Sequence, residues 1–74
     1  MIEKQLRDET EKWLTKAKKK RSEIKSNSPY LKNIDAYISD SEYFLKNGDL
    51  IRAFEAVIWS WSWLEILEEL EILK

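Results

Sequence analysis

The stretch DLIRAFEAVIWSWSWLEILEELEILK, Asp49 to Lys74, holds three of the four tryptophans of the chain and most of the residues large enough to build a core. Read on a helical period, Leu50, Phe54, Val57, Trp61 and Leu64 follow spacings of four, three, four and three, one continuous apolar seam. A second seam runs through Trp59, Trp63, Ile66, Leu70 and Leu73, displaced around the cylinder because Trp59 sits two residues, roughly 200°, from Trp61. Two seams need two partners. Ala53, Ala56, Ser60 and Ser62 lie between the large residues and leave room for neighbouring helices to approach. The alternation Trp59, Ser60, Trp61, Ser62, Trp63 also suits a half-buried strand. Context decides against it. No Gly or Pro makes a turn within the stretch, and Leu64 to Leu73 is rich in Leu and Glu, which are strong helix formers.

Working outward, Asn47, Gly48 and Asp49 precede the stretch, with Gly suited to end one helix and Asp to cap the next. Upstream, Leu31, Ile34, Ile38 and Leu45 give an inner stripe with Ser41 at its gap, while Tyr30, Tyr37 and Phe44 form an aromatic row seven residues apart. Ser28 before Pro29 matches a cap followed by proline in the first turn. Before them, Ile2, Leu6, Trp13, Leu14, Ala17 and Ile24 mark a thin stripe, with Thr10 and Arg21 where a fully buried helix would be apolar. These features predict helices over about 2–25, 29–46 and 50–73. Short connections make neighbours antiparallel, so the expected architecture is an all-α, up-down-up three-helix bundle forming a single domain over 1–74. Helices of about 24 residues reach roughly 36 Å and one of about 17 only roughly 26 Å. That mismatch puts Ile2 and Leu6 beyond one end of the middle helix, and Leu70 and Leu73 beyond the other.

With 74 residues, the chain lies near the lower size limit of an independent domain, burying only about 60% of its unfolded surface. It has no Cys and no His, so disulfides, thiolate and imidazole metal sites and the commonest general base are all absent. No basic leader with an apolar core opens the chain, and Arg52 and Glu55 break its most apolar run. The expectation is a cytoplasmic protein that does not span a membrane.

The pattern Tyr37-x-x-Asp40-x-x-x-Phe44-Leu45-x-x-Gly48-Asp49-x-x-x-Ala53-Phe54-Glu55-Ala56 resembles the core motif of a small archaeal family, domain of unknown function family 357. The resemblance implies a short helical bundle and brings no established activity. It spans the second and third helices. The family pattern continues with a glycine and a Leu-Asp pair, where this chain has Ser62 and Leu64-Glu65.

Nucleotide-binding, nucleophile and acid–base motifs are missing, so no catalytic residue, cofactor or metal site is expected and the chain reads as non-enzymatic. Asp35, Asp40, Glu42 and Asp49 lack the spacing of an EF-hand. Residues 1–32 carry ten Lys or Arg against five Asp or Glu, and residues 33–74 carry three against nine. The basic run Lys16, Lys18, Lys19, Lys20 and Arg21 is therefore a candidate patch for an anionic partner, nucleic acid included. In an up-down-up bundle, however, that run lies beside Glu65, Glu68, Glu69 and Glu71, where Lys18, Lys19 and Arg21 would relieve four glutamates at a helix C-terminus. The tryptophans are read as core filler and interface anchors in preference to a ligand pocket. The leading expectation is self-association, most simply a homodimer, through Trp59, Trp63, Ile66, Leu70 and Leu73. The alternative is a weak binder of nucleic acid or an acidic partner through the first helix.

Overall fold

A computed structural model of the chain, which describes residues 1–25 and 28–70, contains three helices: α1 (Ile2–Ser22), α2 (Tyr30–Lys46) and α3 (Leu50–Glu69). No strand occurs among the described residues. The helices form the expected up-down-up bundle, with α3 packed against both others and α1 touching α2 least.

Local chemistry accounts for the boundaries at the two turns. The α1 helix ends three residues before the expected Lys25, because the chain tightens. The Glu23 and Ile24 N–H groups donate to the carbonyls of Lys20 and Arg21, three residues back, at 3.2 and 3.1 Å. Ser22 Oγ adds a bond to the Lys19 carbonyl at 2.6 Å. These short-range bonds satisfy the carbonyls left free at a helix end. At the start of α2, Ser28 Oγ accepts from the Tyr30 N–H at 3.3 Å, and Pro29 adopts helical angles, φ −63° and ψ −22°. Proline can enter the first turn because its missing N–H has no partner there.

The turn between α2 and α3 closes in two steps. Asp49 N–H donates to the Phe44 carbonyl at 2.9 Å and Gly48 N–H to the Leu45 carbonyl at 3.2 Å, the paired bonds of a Schellman motif. Gly48 occupies the left-handed region that this motif needs, φ 77°. Asp49 then caps α3, accepting from the Arg52 N–H at 3.3 Å. One residue thus ends α2 through its backbone and starts α3 through its side chain.

The core holds Leu14 and Ala17 from α1, Leu31, Ile34 and Ile38 from α2, and Ala53, Val57, Leu64 and Leu67 from α3. This differs from the first seam read in the sequence. Val57 and Leu64 are buried, but Leu50, Phe54 and Trp61 are only half-buried. Ala53, Ser60 and Leu67 complete the inner stripe instead. Small side chains face inward because they let the helix axes close up, and the larger rings are displaced to the flanks.

Among the described residues, three polar side chains lie wholly inside, each with an acceptor 2.7 Å away. Thr10 bonds the Leu6 carbonyl, Ser60 the Val57 carbonyl and Ser41 the Ala53 carbonyl. Thr10 is therefore interior, contrary to the thin-stripe reading, because its own helix satisfies the hydroxyl. The Ser41 bond crosses from α2 to α3.

Candidate interaction surface

The second seam of α3 lies on the outside. Trp59, Ile66 and Leu70 retain 56%, 48% and 64% of their surface, and Trp63 is half-buried. Leu73 and Glu71 lie outside the described residues. The spacing of these side chains around α3 follows from its period: one turn carries Trp59 to Trp63, and another three residues reach Ile66.

Both tryptophans lean on the aromatic row of α2. Trp63 stacks on Tyr30 with ring centres 5.6 Å apart and planes 16° from parallel. Trp59 meets Tyr37 at 6.0 Å with a 44° tilt. The row Tyr30, Tyr37, Phe44 was visible in the sequence. Its pairing with the tryptophans was not, because an antiparallel register cannot be counted from one helix. Trp61 turns the other way, meeting Trp13 of α1 edge to face at 5.4 Å.

The basic run divides between two faces of α1. Lys18 and Arg21, three residues apart, point to α2, where Lys18 pairs with Glu42 and Arg21 makes a two-point contact with Asp35 at 2.7 and 3.1 Å. The hydrogen bond to Asp35 raises the Arg21 pKa, against the opposing effect of burial. Lys16 and Lys20, four residues apart, lie on the α3 side, with Lys20 bonded to Glu68 at 2.7 Å. Among the described residues, then, one glutamate of the acidic end of α3 meets the run, and Lys18 and Arg21 serve α2 instead. The cause is helical phase: positions 18 and 20 are roughly 200° apart.

Lys16 Nζ lies 4.6 Å from the Trp13 ring centre and Lys20 Nζ 5.2 Å from that of Trp61. With Lys19 they line a depression of about 500 Å³ between α1 and α3. No ion pair of Lys16 or Lys19 occurs among the described residues.

Of the four carboxylates weighed as cation ligands, Asp35 and Glu42 bind α1 cations and Asp49 caps α3. No group of three or more metal-ligating side chains occurs among the described residues. No helix there is long and apolar enough to cross a membrane.

The family model described as "Protein of unknown function (DUF357)" matches residues 3–73. A crystal structure of a protein from Archaeoglobus fulgidus, of the same family, is 51% identical and superposes with a TM-score of 0.91. That similarity covers 96% of this chain and 93% of the other. No curated protein matches the chain. The match extends through α1, where the sequence motif had been silent, and so the chain belongs to the DUF357 family of proteins of unknown function.

Proposed function

We propose that this chain is a non-enzymatic helical module that self-associates through the outer face of α3. The observation that carries the reading is the uncovered apolar stripe Trp59, Ile66 and Leu70, which remains after α1 and α2 have taken their places. Soluble monomers rarely leave such a stripe in water.

The pattern on the stripe favours a second copy as its cover. A two-fold axis between Ser62 and Trp63 makes Trp59 and Ile66 equidistant from it, so an antiparallel pair of α3 helices sets each Trp59 against the other copy's Ile66. Ser62, small and exposed, leaves a hollow at the centre.

Molar mass by sedimentation tests the reading: a dimer is expected at tens of micromolar, and Leu70→Glu should return the monomer. A wild-type monomer at that concentration removes the proposal.

The depression between α1 and α3 supports a second reading, in which Lys16 and Lys19 meet an anionic partner such as nucleic acid. Ion pairs already engage Lys18, Lys20 and Arg21, which leaves this reading fewer charges. It predicts binding to a single-stranded oligonucleotide that weakens with salt and with Lys16→Glu/Lys19→Glu. Absence of binding at low salt would remove it.

A further inference from the structure

A groove of about 320 Å³ runs between α2 and α3. On α2 it is lined by Tyr37, Asp40 and Phe44, and on α3 by Arg52, Glu55 and Trp59, both rows spaced by three and then four residues. Two ends of this ladder are closed by contacts already made. Tyr37 meets Trp59 at 6.0 Å, and the Arg52 guanidinium lies 5.9 Å from the Phe44 ring centre. The middle brings two carboxylates, Asp40 and Glu55, to the same groove.

Arg52 lines the same groove, but no ion pair reaches its middle position among the described residues. Arg52 is held toward the turn by Asp49 at 3.6 Å, and neither Asp40 nor Glu55 has an ion pair among the described residues. Two carboxylates lining one groove make it attractive to a cation. The aromatic wall beside them adds a second attraction for a cation, since the faces of Trp and Tyr rings are electron-rich. Phe44 already holds one, Arg52.

We infer that this groove receives an arginine side chain from a partner protein. Guanidinium suits it best, because a planar cation stacks on the Tyr37–Trp59 wall while donating to both carboxylates. The groove is open, with Trp59 more than half exposed, so it does not enclose a free small molecule. A cation delivered on a chain that makes further contacts along α2 and α3 overcomes that openness.

The test follows the Trp59 indole N–H by NMR during titration with a blocked peptide containing one arginine. A matched peptide with citrulline keeps the shape and removes the charge. The inference expects a saturable shift with arginine, about tenfold weaker binding with citrulline, and a comparable loss in Asp40→Asn/Glu55→Gln. Both substitutions are exposed and isosteric, and Asp40→Asn alone provides a milder check if the double variant loses helicity. Trp59 also faces the second copy in the proposed dimer, so dimer and peptide compete for it; titrating Ile66→Glu separates the two, because that monomer should bind the peptide at least as tightly as the wild type. No shift, equal response to citrulline, no loss in the carboxylate variants, or equal affinity for free methylguanidinium would each overturn it.

Discussion

Trp59 and Ser60 are neighbours in the chain, yet the tryptophan keeps 56% of its surface exposed while the serine has none. Ala53, fully buried, and Ile51, 68% exposed, repeat the inversion at the start of α3, whereas Leu64 and Leu67 are both large and buried. Its inner face is Ala53, Val57, Ser60, Leu64 and Leu67, and its outer face carries Trp59, Ile66 and Leu70. Burial within the bundle therefore follows how closely the helices must approach, and size alone does not predict the side. Trp59, Ile66 and Leu70 remain available for contacts beyond the bundle, while Trp61 and Trp63 pack against its core.

Truncation breaks the comparison most sharply. Leu64 is fully buried among all three helices, so Leu64→Ala should cost about 2–5 kcal/mol of unfolding free energy. Ile66→Ala on the outer face should cost less than about 1 kcal/mol in the monomer. Denaturant melts of the two variants, taken at low concentration, check the contrast. Equal losses would mean that the outer face is covered within one chain.

The serines sharpen it further. Ser60 is enclosed, with its hydroxyl on the Val57 carbonyl at 2.7 Å, and a larger side chain there must push α3 off its neighbours. Ser60→Leu should destabilise by about 1–3 kcal/mol. Ser62→Leu, two residues on and exposed, should stay within about 0.5 kcal/mol of the parent in the monomer. Similar melting temperatures for the two leucine variants would contradict the assignment of faces.

Why the sequence revealed some of this and not the rest follows from what each signal measures. Gly48 and Asp49 act through their own backbone and nearest neighbours, so the turn and the cap of α3 were legible. Ser28 and Pro29 were legible for the same reason. The inner seam was not, because Leu50–Phe54–Val57–Trp61–Leu64 and Ala53–Val57–Ser60–Leu64–Leu67 have the same spacings and share two members. Choosing between them requires the approach of α1 and α2. Of the second seam, Trp59, Ile66 and Leu70 are exposed and Trp63 is half-buried, and the support of the tryptophans by Tyr30 and Tyr37 depends on antiparallel register. Likewise, the basic run was expected to serve α3, whereas Lys18 and Arg21 turned to α2. A one-residue step rotates a side chain by roughly 100°, enough to change its partner.

The smallest effect on the folded monomer, and the most informative, belongs to Ile66→Glu. Ile66 is 48% exposed, so the glutamate can reach water, and its cost in a dilute sample should be about 0.5 kcal/mol or less. Its effect on association should be large, since a charge would be buried opposite Trp59 of the second copy without a cation beside it. Dimerisation stabilises the folded state by mass action, so the wild-type melting temperature should climb with protein concentration. The Ile66→Glu melting temperature should not. At low concentration the two curves should converge, because the contact they differ in no longer forms. If the wild-type temperature is flat across that range and the variant simply lies below it, Ile66 supports the bundle itself and the outer face of α3 is not where copies meet.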